Sequence, residues 1–167
     1  MMTTMFHTEK ANTLIPKVRS FINTEVIPIE LEVLNKPFSA SDNLLNELRD
    51  HVKTLGLWAP HLNEKQGGLG LNLIEFALLS EEMGRSPLGH YLFNCQAPDI
   101  GNMELLEQYA PSVLRERFLK PLMAGDIRSC FSMTEPEFAG SNPTMMGTTA
   151  QKQGGNYVIN GHKWFIT

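Results

Sequence analysis

The sequence has 167 residues and a formal net charge of −4 at pH 7; 42% of its residues are hydrophobic and 19% are charged. This composition is ordinary for a folded chain of one domain or slightly more, so disorder is not expected. The negative charge and the lack of a basic patch argue against a nucleic-acid partner. The apolar runs, such as residues 71–80, are too short to span a bilayer, so we expect no membrane partner.

The start of the chain and its cysteines both bear on cellular location. The first ten residues, MMTTMFHTEK, form neither a secretory signal pattern nor an Arg-rich transit pattern. Cys95 and Cys130 are far apart and in no metal-binding spacing, and two lone thiols are typical of a reducing compartment. We therefore expect a cytoplasmic protein.

Apolar residues recur at helical spacing from about residue 9 to residue 124, which predicts a helical domain over residues 1–128. Pro28 is expected to kink or end the first helix, because proline lacks an N–H and clashes with the preceding turn.

The segment Leu73–Gly84 is apolar almost all round, so we expect a mostly buried helix there. Within it only Glu75, Glu81 and Glu82 are expected to be solvated. Adjacent helical residues point about 100° apart, so Glu81 and Glu82 do not easily form a paired acid–base site. A solvated helix edge is the favoured interpretation.

After Gly125 the pattern changes to short strands and turn signals. The predicted strands are Ser129–Thr134, Thr144–Gln153, Asn156–Asn160 and His162–Thr167. Gly154-Gly155 and Asn160-Gly161 are hairpin signals, and the second suits a type I′ turn. The predicted fold class is α+β: an all-α N-terminal domain, then the first antiparallel strands of a β-domain over residues 129–167.

The last residues, Lys163–Thr167, lie inside an apolar predicted strand. An open sheet edge with exposed aromatic side chains is unstable and prone to association. We therefore expect a truncated chain, or one that needs a partner to cover this sheet.

Two common site types are disfavoured. Gly67, Gly68 and Gly70 invite a dinucleotide-loop interpretation, but no strand precedes them and the third glycine of that motif is missing, so an inter-helix loop is favoured. The histidines are in no metal-ligand spacing, so no metal site is expected. They are His7, His51, His61, His90 and His162.

The segment Cys130–Asn142 carries a stronger signal. A predicted strand leads into Thr134-Glu135-Pro136 and then a loop of small residues, Ala139–Asn142. Glycine permits close backbone approach to a ligand, and successive N–H groups in such a loop can form an anion-binding concavity. Alone, the segment fits either a plain strand and turn or a phosphate-binding loop. The later segment Tyr157–Thr167 favours the second.

Together, FSMTEPEFAGSN and YVINGHKWFIT resemble the paired flavin signatures of acyl-CoA dehydrogenases. GGLGLNLIEFALLSEEMGRS resembles the glycine-rich loop and helix of that family's N-terminal domain, and PLMAGDIRSCFSMTEP its domain junction. FNCQAPDIGNMELL is similar to a branch that in animals is fused to a kinase-like domain and acts on long-chain or 4-hydroxyacyl-CoA substrates. The resemblance covers nearly the whole chain and implies that the β-domain is the start of the family's flavin-binding β-barrel domain.

The resemblance also implies FAD as cofactor, with a set of contacting residues. The expected cofactor-binding residues are Phe131, Ser132, Met133, Thr134, Gly140, Ser141, Phe165, Ile166 and Thr167. The first four would lie beside the isoalloxazine ring, and Gly140 and Ser141 would meet the pyrophosphate. Ser141 is also the expected substrate contact, and Thr167 would lie at flavin N5.

Two departures from the family pattern affect this placement. The loop from Glu135 to Gly140 is one residue longer than the commonest form, so the phosphate contact could shift by one position. Phe165 stands where many members have tryptophan, a change that keeps an aromatic face.

The implied reaction is α,β-desaturation of an acyl-CoA thioester. A carboxylate removes the α-proton while the β-hydrogen leaves as hydride to flavin N5. The family's glutamate base lies in a C-terminal helical domain, so no catalytic residue is nominated within residues 1–167 and these residues alone are expected to be inactive. The implied partners are the acyl-CoA substrate, electron-transfer flavoprotein as electron acceptor, and further copies in a homodimer or homotetramer.

Two alternatives stay open from the sequence. One is an acyl-CoA oxidase-like flavoenzyme of the same fold. The other is a non-catalytic module that binds FAD or acyl-CoA or serves in assembly.

Overall fold

The computed structural model describes residues 8–166, which form two compact units, one ending at Ile127 and the other beginning at Arg128. The helical elements are α1 (Glu9–Phe21), a π-helical segment (Ile22–Val26), α2 (Ile27–Leu34), a 3-10 helix (Phe38–Ser41), α3 (Asp42–Thr54), a second 3-10 helix (Glu64–Gln66), α4 (Leu73–Met83), α5 (Gly89–Leu92), α6 (Asp99–Tyr109), α7 (Ser112–Leu114), a second π-helical segment (Arg115–Leu119) and α8 (Lys120–Ala124). The second unit contains the strands β1 (Thr149–Gln153) and β2 (Asn156–Asn160). The predicted fold class, helices followed by antiparallel strands, is confirmed.

Pro28 was expected to kink or end the first helix, and the helical run does not end there. α1 is capped by Thr8, whose hydroxyl accepts the N–H of Ala11 at 3.2 Å. The run then passes through the π-helical segment into α2, and Pro28 occupies the first turn of α2. The wider π turn and the first-turn position together accommodate the proline, because its missing N–H costs least at the start of a helix.

The main core of the helical unit gathers apolar side chains from α1 to α5. Phe93, which follows α5, is fully buried, and its ring meets that of Phe21 edge to face with centroids 5.5 Å apart. α1 packs against α4. Other fully buried members are Val18, Ile22, Val26, Leu45, Val52, Met83 and Leu92. Cys95 and Met103 are buried packing residues as well.

The prediction for the faces of α4 was wrong. Glu75 and Glu82, expected in solvent, are only 6% and 8% exposed. Leu73 and Ile74, expected in the core, are 82% and 47% exposed. Of the three glutamates, Glu81 alone faces solvent as predicted. The helix therefore directs two carboxylates inward and an apolar edge outward.

Each buried carboxylate on α4 is satisfied by donors that periodicity does not reveal. The Glu75 carboxylate accepts the Thr8 hydroxyl at 2.5 Å and the Asn72 N–H at 2.9 Å, which closes a capping box at the start of α4. Glu82 accepts from Arg19 and Arg85. These hydrogen bonds lower the pKa of both carboxyls, chiefly through Thr8 for Glu75 and through Arg19 for Glu82.

A buried arginine joins three parts of the helical unit. Arg49 of α3 is 3% exposed and donates to the carbonyls of Tyr91 at 2.7 Å and Gly125 at 3.2 Å. It also donates to the Asn94 side chain at 3.3 Å. Its guanidinium lies 4.8 Å from the ring centroid of Trp58 and 4.6 Å from that of Tyr91. Both contacts are within cation–π range. The guanidinium is therefore held by two aromatic rings as well as by the hydrogen bonds that its N–H groups donate.

In the second unit, β1 and β2 form an antiparallel hairpin in which Ala150 faces Ile159. The turn is at Gly154-Gly155, where Gly154 has a φ of +61°, as glycine permits. Every residue of both strands is exposed. The hairpin prediction at this site is confirmed, although β1 begins at Thr149 rather than Thr144.

Three predictions for the second unit were wrong. Residues 129–134 and 162–166 are not strands, because a strand requires a ladder and we find one backbone bond between these segments, from the Trp164 N–H to the Thr134 carbonyl at 3.1 Å. Asn160-Gly161 is not a turn, since Asn160 ends β2. A Cβ at Gly161 would lie 2.1 Å from the Thr148 hydroxyl, so glycine is needed there for close packing.

Candidate functional site

Two segments of the second unit carry the predicted cofactor-binding residues, and the structure joins them. The carbonyl of Thr134 accepts the N–H of Trp164 at 3.1 Å. Thr134 is half-buried, whereas Phe131 is 58% exposed and Ser132 is also exposed. Thr134 is thus placed directly beside the segment that contains Phe165.

An ion pair between buried Glu135 and half-buried Lys163 strengthens this connection. Glu135 is 3% exposed, and its carboxylate accepts the Lys163 ammonium at 2.7 Å, the Gly147 N–H at 2.5 Å and the Thr148 N–H at 2.9 Å. Lys163 also donates to the carbonyl of Met133 at 2.8 Å. The two side chains therefore connect three stretches of chain, namely residues 133–135, 147–148 and 163.

The Lys163 ammonium, with further hydrogen bonds from Thr148 and Gly147, lowers the pKa of Glu135 from 4.5 to about 2. A carboxyl whose pKa is depressed on folding stabilises the folded state above its ordinary pKa. That contribution is lost as the pH falls through the folded value.

We expect the second unit to lose stability as the pH falls from about 4.5 to about 2, because Glu135 must then be protonated. Exchange of the Trp164 amide proton, followed by NMR, measures this loss. In Glu135→Gln the dependence over this window should be smaller, and in the control Glu137→Gln, at an exposed position of the same loop, it should be unchanged. Equal pH slopes in all three proteins would contradict the assignment.

The small-residue loop lies against Thr134. A Cβ added at Gly140 would lie 3.1 Å from the Thr134 methyl carbon, so a larger residue would force this contact apart. The Asn142 N–H donates to the Ala139 carbonyl at 3.0 Å. The Asn142 side chain in turn accepts from the N–H and hydroxyl of Thr144 at 3.2 and 2.7 Å. These bonds shape a turn that leaves Ser141 exposed.

The aromatic segment has an unusual backbone. Phe165 has a φ of +48°, and the residue is 83% exposed. Its ring meets that of Trp164 at a centroid distance of 5.0 Å and an angle of 67°. A non-glycine residue with positive φ stores strain that its surroundings must hold. Ile166 is half-buried, and Thr167 lies outside the described residues.

The structure thus brings Thr134, Gly140 and Trp164 together, with Phe165 and Ile166 directly following. Phe131 and Ser132 share this unit on exposed backbone before Thr134. Glu135 and Lys163 were not among the predicted site residues. The sequence offered one weak signal for them, an acidic and a basic residue in two motifs otherwise expected to face a ligand.

Two negative findings complete the description. Across residues 8–166, no group of three or more His, Cys, Asp or Glu side chains is placed to hold a metal ion. Over the same range, none of the helices combines the length and apolar character needed to cross a membrane.

Comparison with known proteins gives a consistent match. Residues 8–126 match the family model "Acyl-CoA dehydrogenase, N-terminal domain", and residues 130–167 match "Acyl-CoA dehydrogenase, middle domain". The chain is 41% identical over 156 residues to mouse acyl-CoA dehydrogenase family member 10, an alignment covering 88% of the chain and 15% of the relative.

Solved structures are similar as well. A Mycobacterium abscessus protein assigned to the acyl-CoA dehydrogenases is 41% identical with a TM-score of 0.85, covering 96% of this chain and 42% of that one. A glutaryl-CoA dehydrogenase from Mycobacterium smegmatis in complex with FADH2 is 25% identical with a TM-score of 0.74. The match covers 99% of this chain and 41% of that one. The chain therefore spans less than half the length of the relatives that it matches.

Proposed function

The chain belongs to the acyl-CoA dehydrogenase family of oxidoreductases, and on that premise we propose that it is the front part of an FAD-dependent enzyme that introduces an α,β double bond into acyl-CoA thioesters. The observation that carries the proposal is the junction of the two motif segments by the bond from the Trp164 N–H to the Thr134 carbonyl. This bond brings Thr134 next to the segment of Phe165, and the family resemblance assigns both residues to one flavin.

The residues present fit a flavin by their chemistry. The exposed ring of Phe165 offers an apolar face to a planar ring system, and the half-buried Thr134 offers a hydroxyl for its polar edge. The Ala139–Asn142 turn is exposed, so the Ser141 hydroxyl is accessible to a phosphate.

In the proposed mechanism, each segment has its own task. Phe131, Ser132, Met133 and Thr134 would hold the ring, and Gly140 and Ser141 would hold the pyrophosphate. When bound, FAD supplies the ring that accepts the β-hydrogen of the substrate as hydride. Phe165 and Ile166 would cover the ring and exclude water, and Thr167 is the proposed contact at flavin N5.

The finer assignments follow from the same premise. We propose acyl-CoA as substrate, with Ser141 as a contact, electron-transfer flavoprotein as electron acceptor, and a homodimer or homotetramer as the assembled form. We place the domain boundary between residues 128 and 129, which the change of unit after Ile127 supports. We also propose a cytoplasmic protein.

The test uses the protein produced from its intact gene. It should purify with FAD, and acyl-CoA should bleach the flavin under anaerobic conditions. Rapid reoxidation by oxygen, with release of hydrogen peroxide, would favour the oxidase alternative. A protein that binds FAD or acyl-CoA without bleaching would favour the non-catalytic module, and one that takes up no flavin would overturn the proposal.

Ser141→Ala is expected to weaken FAD binding by about 10- to 100-fold. Losing a hydrogen bond to a charged group costs about 1.5–3 kcal/mol, and each 1.4 kcal/mol is tenfold. Equilibrium dialysis or flavin fluorescence measures the dissociation constant. Ser39→Ala, at an exposed position in the helical unit, is the matched control and should leave it unchanged. Equal affinities in the two variants would show that the loop assignment is wrong.

A further inference from the structure

We propose that Glu135 and Lys163 are positioning residues that fix the separation of the two flavin-contacting segments; this inference rests on the proposed function. The pair does not itself occupy the predicted contact positions. Its members are close to those positions in the chain, since Glu135 follows Thr134 and Lys163 lies two positions before Phe165.

The geometry of the pair is that of a clamp. The Lys163 ammonium reaches both the Glu135 carboxylate, at 2.7 Å, and the Met133 carbonyl, at 2.8 Å. Lys163 therefore binds the backbone of the residue before Thr134 and the side chain of the residue after it. The Trp164 N–H supplies a third bond, to Thr134 itself, so three consecutive residues of the first motif are held by two consecutive residues of the second.

Burial makes the two charges depend on each other. Glu135 is 3% exposed, and the side chain of Lys163 is 21% exposed. Without Lys163, the carboxylate would keep only the N–H groups of Gly147 and Thr148 among the donors described here, which leaves a buried charge without a counter-ion. Of the three bonds between the two segments, the one from the Trp164 N–H to the Thr134 carbonyl would then remain.

The backbone of Phe165 gives the clamp a functional consequence. Its φ of +48° is a conformation that non-glycine residues keep only when neighbouring contacts enforce it. Those contacts begin at Lys163 and Trp164. Releasing Lys163 should therefore allow the Phe165 backbone to relax, which would change how its ring contacts a bound flavin.

The experiment compares three variants in the protein from the intact gene. Lys163→Met removes the charge, Lys163→Arg keeps it, and Glu135→Gln removes the opposite charge. Lys152→Met, at an exposed position of β1 in the same unit, is the matched control. Three quantities are measured: the dissociation constant for FAD, the visible circular dichroism of the bound flavin, and exchange of the Trp164 amide proton.

We expect Lys163→Met to weaken FAD binding at least about tenfold, to change the flavin's circular dichroism and to speed amide exchange at Trp164. Lys163→Arg should restore part of each, and Lys152→Met should change none. If Lys163→Met does not fold, Lys163→Arg and Glu135→Gln provide the comparison, with intermediate effects expected.

The two levels of the proposal fail separately. Faster exchange in Lys163→Met or Glu135→Gln with unchanged FAD affinity and dichroism would mean that the pair only stabilises the unit, and the positioning role would be overturned while FAD binding stands. Unchanged exchange would overturn the clamp itself. A wild-type protein that binds no FAD would overturn the proposed function and, with it, the positioning role.

Discussion

Replacing Phe93 by alanine is expected to lower the free energy of unfolding of the helical unit by about 3–5 kcal/mol. Phe93 has no exposed surface, and its ring meets Phe21 edge to face at 5.5 Å. The substitution removes apolar contacts and leaves a cavity that the surrounding helices close only in part. Denaturant unfolding followed by far-ultraviolet circular dichroism measures the loss.

Leu31→Ala is the control for Phe93→Ala, because Leu31 is 72% exposed on α2. It should change the free energy of unfolding by no more than about 0.5 kcal/mol. If the two substitutions gave similar losses, the core described around α5 would be incorrect.

The second large effect is expected at Arg49. Arg49→Met removes a charged donor from the carbonyls of Tyr91 and Gly125 and from the Asn94 side chain. Since hydrogen bonds to charged groups contribute about 1.5–3 kcal/mol each and do not add fully, we expect a loss of about 3 kcal/mol or more. Methionine keeps much of the apolar stem, so the difference reports on the guanidinium.

Two further variants separate charge from geometry at this position. Arg49→Lys keeps the charge but lacks the planar fork that reaches several acceptors, so it should recover only a minor part of the loss. Arg117→Met removes an exposed arginine of the same unit and should cost about 0.5 kcal/mol or less. Equal stabilities of Arg49→Met and Arg117→Met would contradict the role of Arg49.

The sequence predicted the helices well, because apolar periodicity is a local property that packing reinforces. It failed on α4 for a physical reason. Hydropathy assigns Glu75 to solvent and Leu73 to the core, but it carries no information on Thr8 or Asn72, whose donors satisfy Glu75. The Asn72–Glu75 capping box is a local signal that the sequence contains, whereas the contact with Thr8, 67 residues away, is visible only in the folded structure.

The second unit shows a similar limit. The predicted strands at residues 129–134 and 162–166 have suitable residues, yet a strand also needs a neighbour that supplies a ladder. The resemblance of the motifs to a known family predicts which positions contact the flavin. It does not identify the Glu135–Lys163 pair, whose members are 28 residues apart and meet only in three dimensions.

The contacts of Arg49 have a consequence for the order of events during synthesis. Its bond to the Gly125 carbonyl joins residues separated by 76 positions. While α3 has emerged from the ribosome but α8 has not, that contact cannot form. The Arg49 guanidinium then lacks the Gly125 carbonyl as an acceptor. Early helices can form locally, but the helical unit should reach its final stability only after Gly125 has left the ribosome.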